Sequence, residues 1–99
     1  MTTAPAIEIV VFRAKPGVST QALSEAALAA QACIEALDGY VQRHLGRNDE
    51  GQYVDIVYWQ SMQHAQAAAQ TVMTLPPCQH FFSLIDESSI QMMHFDQVR

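Results

Sequence analysis

The chain has 99 residues, a formal charge of -5 with five Lys and Arg in all, and a composition that is 49% hydrophobic but only 15% charged. That length allows one domain, 1–99, with no linker, and a negative chain without a basic stripe argues against nucleic acid as a partner. No window reaches the length of a membrane span and no leader pattern opens the chain, so the expected location is cytoplasmic, with no membrane partner.

Residues 6–13, AIEIVVFR, are rich in β-branched side chains and stop at Lys15, Pro16 and Gly17, which reads as a first strand. Ser19 offers an N-cap oxygen. Leu23, Ala26, Ala27, Ala30, Ile34 and Leu37 then recur at steps of three and four, the stripe of an amphipathic helix that Asp38 and Gly39 should end, with Gly39 in a left-handed C′ position. Residues 40–46 alternate loosely and carry Gln42, Arg43 and His44, which suits an edge strand.

Residues 48–51, NDEG, form a turn in which Gly51 supplies a positive φ, and residues 52–59 return as a third strand paired with the second. Ser61 caps a second helix whose inner positions are Met62, Ala65, Ala69, Val72 and Met73, and Pro76 with Pro77 ends it. The alanine rows of both helices permit either close helix-to-sheet packing, the favoured reading because interiors are dense, or an open cavity beneath them. CQHFFSLID is expected to be a short connector of about one helical turn, and residues 88–98 a fourth strand. The order β-α-β-β-α-β is that of an α+β, ferredoxin-like domain with a four-stranded antiparallel sheet.

Successive strand residues point to opposite faces, and both faces of the central strands are apolar. Ile7, Ile9 and Val11 oppose Val10 and Phe12, while Val54, Ile56 and Tyr58 oppose Tyr53, Asp55, Val57 and Trp59. Two helices cover one face only. Leaving the other wet forgoes several kcal/mol at roughly 25 cal/mol per Å² of apolar area, so a second copy is expected to cover it as a homodimer.

Asp55 is conspicuous because a carboxylate among Tyr, Val, Ile and Trp must be paired, hydrogen-bonded or protonated. It is the candidate general base, and its structural alternative is a pair with a Tyr hydroxyl, a His or Arg13. Trp59, with Tyr53 and Phe81, is a candidate ligand contact. His80 is the histidine expected to line a pocket and assist catalysis, while His64 suits a neutral surface or rim imidazole and His94 a sheet-to-sheet interface. No HxxxH or HxH pair occurs, which argues against a metal site. Cys33 and Cys78 read as two reduced, buried thiols.

The segments FRAKPGVS, LDGYVQRHL, YVDIVYWQSMQHAQAA and FFSLIDESSIQMMHF resemble the dimeric α+β barrel proteins, in particular the antibiotic-biosynthesis-monooxygenase-like group, over nearly the whole chain. The resemblance implies a ligand pocket between helices and sheet in each subunit. In quinone-oxidising members an Asn and a Trp on the third strand line that pocket; Trp59 matches the Trp, and Asp55 stands where the Asn is expected. Haem-degrading members use a first-strand Asn and a second-helix Trp, and this chain has neither. The expectation is an enzyme without cofactor or metal, a monooxygenase acting on a small aromatic or conjugated carbonyl compound. The alternative is a non-catalytic dimeric module that binds a small molecule or merely packs.

Overall fold

The computed structural model describes residues 4–99. Its elements are β1 (Ala6–Ala14), α1 (Thr20–Ile34), β2 (Tyr40–Arg47), β3 (Tyr53–Trp59), α2 (Met62–Thr71), a 3-10 turn (Val72–Thr74), α3 (Pro76–Ser83) and β4 (Ile85–Asp96). The strands form one antiparallel sheet in the order β2-β3-β1-β4, so the β-branched strands β1 and β3 lie in the middle and the polar β2 lies at an edge. This is the expected ferredoxin-like arrangement. The segment before β4 is more helical than expected, because Pro76 and Pro77 occupy the first turn of α3, where a missing N–H costs nothing.

Ser19 caps α1 by accepting from the Ala22 N–H at 3.0 Å, and Ser61 caps α2 by accepting from the His64 N–H at 3.1 Å. The stripe Leu23, Ala26, Ala27, Ala30 and Ile34 is buried against the sheet. The helix ends at Ile34, before the expected stop. Gly39 does have a positive φ of 82°, but in the loop beyond the helix and not at its C′ position, and the His64 ring lies where a Cβ would stand. In the turn joining β2 to β3, Asn48 Oδ1 accepts from the Glu50 and Gln52 N–H groups at 3.0 and 2.9 Å, and Gly51 takes φ 80°.

All the helices pack on one face. Ala6, Phe12, Tyr53, Val57 and Trp59 of the sheet join Leu23, Ala26, Ala27, Ala30, Ala65, Ala68, Cys78 and Phe81 in a single core. The register pairs Ile9 with Ile56 and with Met93, and Ile7 with Tyr58 and with Phe95, so these side chains share the opposite face. No element of the described chain covers that face, and Met93 and Phe95 are 42% and 48% exposed. No described helix is long and apolar enough to cross a membrane.

Candidate functional site

Strand alternation sets the floor of the site. Glu8, Val10 and Phe12 of β1 point toward the helices, as do Asp55, Val57 and Trp59 of β3. Above them α2 contributes Ala68 and Ala69, the 3-10 turn Val72 and Met73, and α3 Phe81 and Phe82. Small side chains on α2 leave the roof unfilled, and a cavity of about 540 Å³ opens beside Trp59. The alanines of α1 and Ala65 of α2 do pack closely, as expected, whereas Ala68 and Ala69 of α2 border a void.

A break in strand pairing shapes the mouth. Val11 pairs with Gln91, but the next pair along is Arg13 with Asp86, so β4 bulges away from β1 between them. Ser89 fills the gap, its Oγ accepting from the Arg13 N–H at 2.8 Å. Glu87 and Ile90 of the bulged segment, with Met92, line the cavity, and Met92 and Met73 are half or more exposed. Apart from Glu87 the entrance is apolar.

Asp55 faces the cavity, but it is not alone. Arg43 Nε donates to Oδ1 at 2.9 Å and an Arg43 terminal nitrogen donates to Oδ2 at 2.7 Å, a two-pronged ion pair with side chains only 4% (Arg43) and 11% (Asp55) exposed. The other terminal nitrogen donates to the Ala27 carbonyl at 3.1 Å and to Gln31 Oε1 at 3.3 Å, and the guanidinium carbon stands 5.5 Å from the Phe81 ring centroid. Arg43 thus ties β2 to β3 and both to α1. None of the three partners considered from sequence, a Tyr hydroxyl, a His or Arg13, holds Asp55; Arg13 instead donates to the Glu50 carbonyl at 2.7 Å.

A second carboxylate lies across the floor. Glu8 Oε1 accepts from the Trp59 indole N–H at 3.3 Å, and its Oε2 lies 3.2 Å from His94 Nε2. Register explains the cluster, since Glu8 stands opposite Val57 on one side and opposite His94 on the other. His94 therefore faces the helix side of the sheet, not the bare face proposed for it from sequence. Glu8 escaped sequence reasoning although the signal was the one that singled out Asp55: an acid flanked by Ile7 and Ile9 in an apolar strand. Arg43 was missed because a charged residue on an edge strand reads as solvated.

The remaining expected residues separate. Trp59 is 2% exposed and, with Phe81, lines the cavity. Tyr53 is buried but stacks on Phe12 at 5.4 Å between centroids and is not among the residues lining the cavity. His80 is exposed on α3, also outside the lining, so it does not join Asp55 and Trp59 at the cavity; the histidine linked to Trp59 is His94, through Glu8. His64 Nδ1 is 2.7 Å from Ser61 Oγ, a local contact at the cap of α2. Cys78 is buried and Cys33 half-buried. Burial, and secondarily the neighbouring Cys33, pushes the Cys78 thiol pKa up. Among the described residues no group of three or more His, Cys, Asp or Glu gathers as a metal site.

No family model matches the chain, and no curated protein matches it in sequence. Solved structures do match its fold. It is similar to SnoaB, a cofactor-independent oxygenase from Streptomyces nogalater, with a TM-score of 0.80 at 15% identity, covering 98% of this chain and 96% of the other. A putative antibiotic biosynthesis monooxygenase from Nitrosomonas europaea aligns with a TM-score of 0.75 at 12% identity, covering 99% and 94%. A putative monooxygenase from Shewanella loihica aligns with a TM-score of 0.72 at 23% identity, covering 100% and 98%. The fold of this chain is that of the antibiotic-biosynthesis-monooxygenase-like proteins.

Proposed function

We propose that the protein is a cofactor-independent monooxygenase that takes a small aromatic or conjugated carbonyl compound into the cavity under α2 and α3. The observation that carries this reading is the cavity itself: about 540 Å³, within the range of ordinary ligand sites, largely apolar, and bordered by Trp59 and carboxylates. Trp59 and Phe81 would sandwich a flat ligand. A carboxylate would remove a proton from the carbon beside the carbonyl. The resulting carbanion is stabilised by resonance and passes an electron to dioxygen; recombination gives a peroxide, and loss of water leaves a new carbonyl. A CH2 group and O2 become C=O and H2O, with no external reductant. Fold likeness to SnoaB supports the reaction type.

Asp55, the base expected from sequence, has both oxygens engaged by Arg43, and this favours a second reading in which the same cavity binds its ligand without turning it over. In either case we propose a homodimer closed by the bare sheet face, where Ile7, Ile9, Ile56, Met93 and Phe95 would be withdrawn from water.

Oxygen uptake with 1,8-dihydroxyanthrone as probe, in buffer containing a chelator, tests the enzymatic reading. Turnover above spontaneous oxidation is expected, and Ala69→Phe, which fills the cavity, should abolish it. Uptake no faster than the background, or untouched by A69F, refutes it.

A further inference from the structure

The cavity holds more acid than base. Glu8, Asp55 and Glu87 line it against the single cation Arg43, and Arg43 is spent on Asp55, Ala27 and Gln31. Glu87 is exposed at the mouth, so Glu8 is the one enclosed carboxylate without a fixed cation beside it. Its side chain is 11% exposed, and its two partners are a neutral indole N–H and a histidine ring, at 3.3 and 3.2 Å. Those distances exceed the usual span of charge-assisted hydrogen bonds, and each carboxylate oxygen retains a second acceptor site. Trp59 and His94 therefore hold the carboxylate in place and leave it acceptor capacity toward the cavity.

We infer that Glu8 is the ligand-recognising acceptor of this cavity, and that it selects neutral aromatic or conjugated molecules presenting a phenol or enol O–H while repelling carboxylates and phosphates. The inference rests on the reading of the cavity as a ligand site. Two physical effects give the selection. A buried carboxylate gains a strong hydrogen bond from an O–H donor that an ether of the same shape cannot supply. An anionic ligand meets carboxylates in a poorly solvated space, and no free guanidinium offsets them.

Calorimetric titration of the full chain near neutral pH with 1-naphthol, 1-methoxynaphthalene and 1-naphthoate tests it. The naphthol should bind at least about tenfold more tightly than the ether, as one hydrogen bond to a charged group implies, and the naphthoate should bind weakest. Glu8→Gln keeps the side-chain shape and removes the charge. It should cut the naphthol advantage to about threefold or less and raise naphthoate affinity toward that of the ether. Should E8Q fail to fold, the order of the three ligands on the unaltered protein decides by itself.

Equal binding of naphthol and ether, tightest binding of naphthoate, or a preference that E8Q leaves intact overturns the inference. If the three ligands bind alike and Ala69→Phe blocks them all, the cavity reading stands and the role of Glu8 falls. If none binds, or A69F blocks none, both fall together.

Discussion

Replacing Asp55 by Asn separates a structural clamp from a free base. The substitution keeps the shape and one acceptor oxygen but withdraws the charge opposite a guanidinium whose side chain is 4% exposed. Removing one partner of a buried pair costs about 3–5 kcal/mol, and the retained amide oxygen places this variant near the lower end, at about 3 kcal/mol. For a domain of this size each kcal/mol moves the melting temperature by roughly 4–8 °C, so a fall of roughly 10–25 °C is expected. Thermal melts followed by circular dichroism at one fixed protein concentration measure it, since an oligomer's melting point depends on concentration. A cycle with Arg43→Met and the double variant should show coupling of at least about 1 kcal/mol, because the double variant no longer buries a lone charge. A fall smaller than about 5 °C, or an additive cycle, refutes the clamp. Unchanged melting with lost turnover would instead restore Asp55 as the base.

Four further outcomes follow from the same geometry. Gly39→Ala forces a side chain to a φ of 82° and into the His64 ring, and should lose more than the roughly 1–3 kcal/mol of backbone strain alone; Gly17→Ala, at φ 87° with open space around it, should lose only that strain, which denaturant titration of both variants will compare. Ile9→Glu puts a charge in the middle of the bare face, and sedimentation velocity should change from a dimer to a single chain; a dimer that persists disproves the sheet-to-sheet arrangement. Cys78 should alkylate with iodoacetamide near pH 8 far more slowly than Cys33, because it is buried and its raised pKa leaves less thiolate. The same shift makes unfolding easier as pH rises past the unfolded thiol's 9.0, since the unfolded chain ionises first; Cys78→Ala should flatten that alkaline decline in a pH series of melts.

Local patterns determined the element order, the helix stripe of α1, both serine caps, the edge position of β2 and the two-sided apolar character of β1 and β3. These features depend on neighbours a few residues apart, where side-chain period and backbone preference act directly. Trp59 and Asp55 were legible as facing one side of β3 for the same reason. What stayed hidden depends on register across strands distant in sequence. Glu8 meets His94 only because antiparallel pairing sets them opposite each other, and Arg43 reaches Asp55 only because β2 folds back along β3 and under α1. The bulge in β4 and the void beneath Ala68 and Ala69 likewise arise from how two elements fail to fill the space between them. Composition cannot reveal that shortfall, because an alanine row closes a gap or leaves one according to the distance at which the helix sits. Tertiary structure alone decided that the acid exposed in the sequence is neutralised, and that the acid overlooked in it faces the open space.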